Sequence, residues 1–303
     1  MSGVAALGNF DGVHAGHRTV LDLARSLAGR IGADPVAAVF SPHPRVFFRP
    51  DDPPFRLMSD GQRARALREA GMARVETIRF DAALSSMSPE SFVRDVLVGQ
   101  LGVEGVVTGA DFCFGKGRAG NAETLETLGA LYGFAVAIAP SLGSDRLQAG
   151  VKISSSAVRE AIREGDMERA GLLLERPWAI EGEVGHGDKR GRTLGFPTAN
   201  VPLGGYLRPR AGVYAVRAHL PGRSEPVGGV ANCGKRPTVE GTEERLEVHL
   251  FDFSGDIYGQ VIEVEMTAFI REERRFESLE ALKAQIAHDS AEARALLDRQ
   301  RAS

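Results

Sequence analysis

Two histidines stand three residues apart in a glycine-rich segment near the start of the chain. The segment GNFDGVHAGH covers residues 8–17, follows an apolar run typical of a strand, and opens a helical pattern. At this spacing His14 and His17 project from one face of the first helical turn. Helix-start amides and the helix dipole favour anions, and imidazoles can donate hydrogen bonds to phosphate oxygens. The arrangement suits nucleotidyl transfer, in which an acceptor phosphate attacks the α-phosphate of ATP and the protein stabilises charge.

Glycines around the histidine pair would let a nucleotide approach the backbone closely. The candidate nucleotide-binding residues of this segment are Gly8, Phe10, Gly12 and Gly16. The alternative is an ordinary strand-to-helix turn in which one histidine binds a metal. Zinc is disfavoured because the nearby sequence offers no third ligand.

A second phosphate-binding element is predicted where ISSSAVR, residues 153–159, opens another helix. The amides and hydroxyls of Ser155 and Ser156, with the guanidinium of Arg159 one turn further on, could hold the β- and γ-phosphates of ATP. Simple N-capping by a serine is the alternative. The presence of the histidine pair in the same chain favours phosphate binding.

The densest glycine stretch spans residues 182–200 and is not a Walker A loop, because it lacks GK[ST] at the required place. Its glycines and cations make a phosphate-binding nest, and its last residues offer hard oxygen ligands for Mg²⁺ held jointly with ATP. The candidates are Gly185, Gly187, Lys189, Arg190, Gly191 and Arg192 for the nucleotide, and Thr198 and Asn200 for both nucleotide and metal. The alternative is a basic hairpin loop on a barrel rim.

One glutamate stands in a strand-like segment, LEVHLFDF, residues 246–253. Successive strand residues point to opposite faces, so Glu247 and His249 share one face if the even-numbered residues are buried. A carboxylate at a barrel mouth could accept the proton of a substrate hydroxyl during phosphoryl transfer. The alternative is a solvent-facing strand glutamate.

The elements that position these residues differ between the two halves of the chain. In the first half, apolar runs alternate with helical patterns, which favours a parallel sheet covered by helices on both faces. The predicted strands are 4–10, 35–40, 75–80, 103–108 and 134–139, and the predicted helices are 16–28, 61–70, 89–101 and 122–132. Ligands of such sheets bind beyond the carboxyl ends of the strands.

In the second half, the sequence pattern changes after two short helices, which are predicted within residues 154–174. From about residue 178 to 269, short alternating segments with frequent Gly and Pro predict a compact antiparallel barrel. A last amphipathic helix is expected over about 278–298.

Composition excludes several classes of function. The 303 residues carry 37 Lys and Arg against 40 Asp and Glu, a net charge of -3, which argues against bulk electrostatic binding to nucleic acid. Two distant cysteines, Cys113 and Cys233, favour neither a disulfide framework nor a zinc site and indicate a reducing, cytoplasmic setting. No basic signal segment opens the chain and no apolar run is long enough to span a bilayer, so we expect a soluble protein.

Five strings together resemble the FMN adenylyltransferase domain of bacterial bifunctional riboflavin kinase/FAD synthetases, a branch of the HxGH nucleotidylyltransferases. They are GNFDGVHAGH (8–17), FSPHPRVFF (40–48), RLM (56–58), GADFCFGKGRAG (109–120) and ISSSAVRE (153–160). Two positions depart from the pattern: Ser41 stands where an acidic residue is frequent, and Ser156 where threonine is usual. The resemblance implies that His14, His17 and Arg159 are catalytic and that His43, Asp111 and Phe112 line the flavin cleft. A rigid loop at residues 42–44 and core packing of Phe112 and Phe114 are equal alternatives.

Four further strings resemble the riboflavin kinase domain of the same family. They are residues 182–201, GVYAV (212–216), GGVANCGKRPTVEG (228–241) and LEVHLFDF (246–253). The resemblance implies that Thr198 and Asn200 bind Mg²⁺–ATP, that residues 189–192 cover the nucleotide, and that Glu247 is the general base for the ribityl 5′-hydroxyl. Arg274, within residues 271–276, would flank the flavin, with packing of an amphipathic helix as the equal alternative.

These inferences define one expectation. An α/β chain carries a doubly wound parallel-sheet nucleotidylyltransferase domain (1–175) and an antiparallel β-barrel kinase domain with a terminal helix (176–303). It converts riboflavin to FMN and FMN to FAD, with ATP, Mg²⁺ and flavins as its small-molecule partners, without nucleic acid or membrane, in the cytoplasm. Self-association, channelling of FMN and the true N-terminus stay open.

Three alternatives stay open beside this expectation. The chain could keep the kinase and lack the transferase, which the departures at Ser41 and Ser156 would permit. It could bind flavin without turnover, although binding alone needs no general base. It could also transfer adenylyl groups to another phosphate acceptor.

Overall fold

The computed structural model describes residues 3–143, 152–185, 196–238 and 241–301, apart from the side chains at 235–238, 241–243 and 300–301. The chain divides into two compact units. The first comprises Met1–Pro53 and Asp60–Ser154, and the second comprises Pro54–Ser59 and Ser155–Ser303. The sequence-based domain limits, 1–175 and 176–303, stay a prediction.

The first unit is built on a parallel five-stranded sheet, as predicted. Its strands are β1 (Gly3–Leu7), β2 (Asp34–Ser41), β3 (Arg74–Arg79), β4 (Val103–Gly109) and β5 (Ala135–Ala139). They lie side by side in the order β3-β2-β1-β4-β5, and every neighbouring pair is parallel. The strand order therefore reverses between β1 and β4, and this reversal is where open α/β sheets bind their ligands.

Helices cover the sheet because its central strands β2, β1 and β4 are mainly apolar on both faces. The helices are α1 (Ala15–Ile31), α2 (Pro44–Phe48), α3 (Asp60–Glu69), α4 (Ala82–Ser86), α5 (Pro89–Ser91) and α6 (Ala122–Tyr132), with a π-helical segment (Phe92–Gln100) and a 3₁₀ turn (Lys116–Arg118). Helix α1 packs against β1, β2, β4 and β5. Phe92, Leu97 and Leu125, from the π-helical segment and α6, share a buried apolar cluster with Leu7 and Val106 of the sheet.

The second unit is an antiparallel six-stranded barrel preceded by two helices. Its elements are α7 (Ser155–Glu164), α8 (Met167–Leu174), β6 (Trp178–Glu183), β7 (Ala199–Pro202), β8 (Gly212–His219), β9 (Val227–Thr238), β10 (Gly241–Leu250), β11 (Val261–Arg271) and α9 (Leu279–Arg301). The strand order is β6-β11-β8-β9-β10-β7. An antiparallel bridge between Gly185 and Asn200 brings the two edge strands together, so the sheet is nearly closed.

The last helix is held on the barrel by apolar packing and by ion pairs, one of which has a buried carboxylate. Ala293 and Leu297 of α9 pack against Val213 of β8 and Val230 of β9. Asp289 is 2 % exposed and accepts three hydrogen bonds of 2.7–3.1 Å from the guanidinium of Arg271, at the end of β11. The helix prediction for 278–298 is thereby confirmed, with a longer C-terminal end.

Some details of the sequence prediction were wrong or incomplete. The strand 4–10 ends at Leu7, because the following residues form a turn in which Phe10 has φ +50°. The helix 89–101 is mostly π-helical, which hydrophobic periodicity does not distinguish from an α-helix. Helices α2 and α4 and strand β7 were not predicted, because each is too short for a periodic pattern.

Removing the buried carboxylate of Asp289 should leave the half-buried guanidinium of Arg271 without its ion-pair partner. We expect Asp289→Ala to lower the free energy of unfolding of the second unit by about 3 kcal/mol. The measurement is urea denaturation followed by the fluorescence of Trp178, the single tryptophan, which is buried in this unit. Asp298→Ala, at an exposed position of the same helix, is the matched control. Equal midpoints for the two variants would contradict the anchoring role.

Candidate active sites

The candidate residues of the first unit lie in loops that leave the same edge of the parallel sheet. His14 follows β1, His43 follows β2, and Asp111 and Phe112 follow β4. Because the strands are parallel, their carboxyl ends meet at one edge, and β1 and β4 flank the reversal of strand order. The sequence-predicted residues therefore gather at the position where this fold binds ligands.

His14 is the N-cap of α1 and is fixed by the helix that it begins. Its Nδ1 accepts a hydrogen bond of 3.2 Å from the backbone N–H of His17. A neutral His14 ring must therefore carry its proton on Nε2, which makes that atom a donor. The rings of His14 and His17 are stacked, with centroids 3.6 Å apart and planes 17° from parallel. The spacing predicted from sequence thus becomes a pair of imidazoles at a helix N-terminus.

Gly16 lies in close contact with the histidine ring. A Cβ atom at this position would lie 3.3 Å from two atoms of the His14 ring and 3.3 Å from the carbonyl oxygen of Ile153. A larger residue would therefore require the ring or the backbone at Ile153 to shift by a few tenths of an ångström. The packing of the His14 ring therefore gives a structural reason for glycine at residue 16. Contact of Gly16 with a nucleotide stays a prediction.

Arg63 is a site-supporting residue that the sequence analysis missed. It lies on α3 and is only 4 % exposed. Its guanidinium donates to the carbonyl oxygen of Asn9 at 3.1 Å and to Asp60 at 2.8 Å. The contact holds the backbone of the loop that leads to His14. A basic residue within a predicted helix gave no signal for this role, because arginine is ordinary on solvent-facing helix positions.

The loop after β2 presents an aromatic surface. His43 caps α2 by accepting a hydrogen bond of 3.1 Å from the backbone N–H of Arg45. At the end of α2, Phe47 and Phe48 form edge-to-face contacts with each other and with Phe80. Phe48 is nevertheless 63 % exposed. Phe48 was not among the residues predicted to line the flavin cleft, although two adjacent aromatic residues after a Pro-rich loop were the available signal.

The loop after β4 places its two candidates differently. Asp111 forms an exposed ion pair with Lys152. Phe112 is half-buried and stacks on Phe114, which belongs to the core of the first unit. Core packing is thus established for Phe114, and a flavin contact of Phe112 stays a prediction.

The serine-rich element begins α7 and belongs to the second unit. Ser155 is the first residue of the helix, and Ser156 is exposed. The Nε–H group of Arg159 donates to the carbonyl oxygen of Phe55 at 2.9 Å, and its guanidinium lies 5.3 Å from the centre of the Phe55 ring. Arg159 is therefore held by the segment 54–59 of the same unit.

In the barrel, a row of polar side chains crosses three neighbouring strands. Glu247 of β10 faces Asn200 of β7 on one side and Asn232 of β9 on the other. Leu246 and Val248 are fully buried on the opposite face. The alternation predicted from sequence is confirmed, and it brings Glu247 beside Asn200. Asn232 was not singled out, because the order of strands in the sheet decides which residue faces Glu247.

His249 lies on the same face of β10 as Glu247 and holds the residues that lead into β7. The Nδ1 atom of His249 lies 2.9 Å from the carbonyl oxygen of Pro197 and so donates to it, and the ring makes an edge-to-face contact with Phe196. Thr198 follows directly and lines a small, open pocket with Val184, Leu250 and Tyr258. His249 therefore positions the residue that precedes Thr198.

The structure describes only the two ends of the predicted glycine stretch, residues 182–185 and 196–200. The N–H group of Gly185 donates to the carbonyl oxygen of Asn200 at 2.9 Å, which ties the start of the loop to β7. The predicted residues Gly187, Lys189, Arg190, Gly191 and Arg192 lie outside the described residues. Their contacts with a nucleotide stay predictions.

Two further arginines of the barrel unit have defined partners. Arg274 lies in the loop between β11 and α9, bonded to Gln285 and 4.8 Å from the centre of the Phe276 ring. Arg245 donates to Oδ1 of Asn200 at 3.4 Å. Among the described residues, no group of three or more His, Cys, Asp or Glu is arranged to hold a metal ion.

Two family models match the chain. The FAD synthetase model matches residues 1–157, and the riboflavin kinase model matches residues 174–297. The chain is also similar to curated bifunctional riboflavin kinase/FMN adenylyltransferases. It is 43% identical to that of Escherichia coli (strain K12) over 96% of this chain and 91% of the relative. It is 45% identical to that of Pseudomonas fluorescens over 97% and 92%, and 38% identical to that of Bacillus subtilis (strain 168) over 96% and 91%.

A solved structure matches both units. It is described as a macrolide-efflux protein from Streptococcus pneumoniae and superposes with a TM-score of 0.84 at 31% sequence identity, covering 95% of this chain and 92% of that one. That description applies to the neighbour. In the part of this chain that is described, none of the helices has the length and apolar character needed to cross a membrane.

The two cysteines should react very differently. Cys233 lies on the buried face of β9, and burial raises the pKa of its thiol to about 12, so roughly one thiol in ten thousand is ionised at pH 8. Cys113 is half-exposed. We expect iodoacetamide at pH 8 to add one label to the native protein, as measured by intact mass. Cys113→Ser is the control and should take up no label until denatured; a label on the native control would contradict the burial of Cys233.

Proposed function

Because this chain belongs to the bifunctional riboflavin kinase/FMN adenylyltransferase family, we propose that two separate sets of its residues carry the two reactions. The enzyme phosphorylates riboflavin with ATP to give FMN and ADP, and then transfers AMP from a second ATP to FMN, giving FAD and pyrophosphate. His14 and His17 serve the second reaction, and Glu247 serves the first. The observation that carries this division is that the histidine stack lies at the start of α1, which follows a strand of the parallel sheet, whereas the Glu247 row lies on the antiparallel sheet.

In adenylyl transfer, a phosphate oxygen of FMN attacks the α-phosphorus of ATP, and the bond to the pyrophosphate oxygen breaks. No side chain forms a covalent bond. Charge builds up on the oxygens around the α-phosphorus, and donors held in advance stabilise it most. The cap hydrogen bond leaves Nε2 of His14 as a donor, and His17 stacks beside it at the helix start. We assign this pair to the α-phosphate.

The other contacts of the adenylyl reaction follow from the same chemistry. Ser155, Ser156 and Arg159 would bind the β- and γ-phosphates that leave as pyrophosphate, because a helix start and a guanidinium both favour anions. The loops after β2 and β4, with His43, Asp111 and Phe112, would line the flavin. Exposed Phe48 adds an aromatic surface on which an isoalloxazine ring can stack.

In the kinase reaction, the terminal hydroxyl of riboflavin attacks the γ-phosphorus of ATP. Glu247 accepts the proton of that hydroxyl, and ADP leaves. The carboxylate suits this role because it stands on the polar face of β10, next to Asn200 across the strand pair. The pocket beside Thr198 would take the base of ATP, since apolar side chains such as Val184 and Leu250 contribute to its lining.

Thr198 and Asn200 are the residues that would hold Mg²⁺ together with the ATP phosphates. Both offer neutral oxygen ligands of the kind that this cation accepts, and magnesium is usually bound by few protein groups plus substrate phosphates. Asn200 is 6 % exposed, which limits the motion of its side chain. When bound, the ion neutralises charge on the transferred phosphoryl group. Lys189, Arg190 and Arg192 would cover the same phosphates.

Replacing Glu247 should abolish one reaction only. We expect Glu247→Gln to lower the rate of FMN formation from riboflavin by about 10²–10⁴-fold, because the amide cannot accept the proton. FAD formation from supplied FMN should be unchanged. Chromatography that resolves riboflavin, FMN and FAD measures both rates. Glu225→Gln, in an exposed loop of the barrel, is the control. Wild-type FMN formation by Glu247→Gln would refute the assignment.

Replacing His17 should have the opposite effect. We expect His17→Ala to reduce FAD formation from FMN by at least about 10²-fold, the usual cost of losing one donor to a developing charge. FMN formation from riboflavin should continue, so FMN accumulates in the same time course. His288→Ala, at an exposed position of α9, is the matched control. Near-normal FAD synthesis by His17→Ala would remove the histidine pair from the mechanism.

A further inference from the structure

The loop between β11 and α9 carries a carboxylate onto the face of the barrel that holds Glu247. This connecting loop, residues 272–278, is fixed at both sides. Arg271 at its start is bonded to Asp289 of α9, and Arg274 within it is bonded to Gln285 of the same helix. The backbone of the loop is thereby held over the barrel without any contribution from Glu273.

Glu273 points from this loop onto β9. Its Oε1 accepts a hydrogen bond of 3.1 Å from Nδ2 of Asn232. Its carboxylate also lies against Gly234, where a Cβ atom would overlap it. Glycine at residue 234 therefore leaves the space that the carboxylate occupies, and Asn232 holds the carboxylate there.

The strand register places this pair next to the proposed base. Asn232 faces Glu247 directly across β9 and β10. Directly paired residues of antiparallel strands have Cβ atoms about 4.5–5.5 Å apart. Within the described residues, Oδ1 of Asn232 has no hydrogen-bond partner, and Glu273 bonds only to Asn232. The amide oxygen of Asn232 and the carboxylate of Glu273 can therefore accept further hydrogen bonds beside Glu247.

We propose that Asn232 and Glu273 bind the secondary hydroxyls of the ribityl chain while Glu247 takes the proton of the terminal hydroxyl. This inference rests on the proposed role of Glu247. A carboxylate accepts hydrogen bonds from hydroxyl groups, and an amide oxygen accepts others, which suits a chain of adjacent alcohols. Those hydroxyl groups are on the carbons next to the terminal carbon. With the terminal hydroxyl at Glu247 of β10, they can reach side chains on the neighbouring strand β9. The pair therefore selects a polyol chain and sets which hydroxyl meets Glu247.

The test compares two substrates in one variant. The second substrate is a flavin whose side chain is an unbranched five-carbon alkyl chain with a terminal hydroxyl only. We expect Glu273→Gln to lower kcat/KM for riboflavin by about 10–100-fold, because hydrogen bonds to a charged group are lost. For the alkyl flavin, kcat/KM should change less than about twofold, since that chain offers nothing for Glu273 to bind. Glu277→Gln, exposed in the same loop, is the control.

A second variant tests the same carboxylate without changing it. Gly234→Ala places a methyl group where the carboxylate lies and should reproduce the selective loss for riboflavin. Equal losses on both substrates in the two variants would show that Glu273 only stabilises the fold, and unchanged kinetics would show that it is irrelevant; either result overturns the proposal. Trp178 fluorescence and FAD formation from FMN verify folding. The role of Glu247 as kinase base is tested separately. If Glu247→Gln forms FMN at the wild-type rate, that role is wrong, whatever the result for Glu273.

Discussion

The pairing of β10 with β7 on one side and β9 on the other is the constraint on which the proposed kinase site depends. None of its polar residues is adjacent to another in sequence, and only the register brings Asn200, Glu247 and Asn232 into a row. A shift of one residue would turn Glu247 toward the buried face and expose Val248. The apolar side chains on the buried face, Leu246 and Val248 among them, oppose that shift because it would move them into water.

The proposed adenylyl-transfer site depends on a different constraint, which is local to one turn. The ring that serves as N-cap of α1 is one of the two imidazoles assigned to the phosphate, so the helix and the site are fixed by the same hydrogen bond. Two residues of the turn, Phe10 and Val13, adopt positive φ and are fully buried. Arg63 holds the preceding carbonyl. Strain in the turn is thus opposed by burial and by a buried cation, an arrangement typical of functional loops.

The sequence was sufficient for the elements and the short-range motifs. The parallel sheet, the barrel and the last helix follow from hydrophobic period and glycine placement, and the histidine stack follows from a three-residue spacing. The sequence does not show which distant residues the order of strands brings side by side. Asn232 and Glu273 are distant in sequence from Glu247, and Arg63 looks like an ordinary surface arginine. Phe48 was missed because exposure of an aromatic residue is decided by tertiary packing.

The segment Pro54–Ser59 belongs to the second compact unit although it lies within the sequence of the first. Its Leu57 carbonyl accepts the indole N–H of buried Trp178 at 2.7 Å, and its Arg56 forms a bridge with Tyr206. The chain therefore crosses between the units three times rather than once. A gene fragment that began at the boundary of the riboflavin kinase model would encode a barrel with a buried indole lacking its acceptor. Separation of the two activities into independent polypeptides would require a new partner for that N–H group.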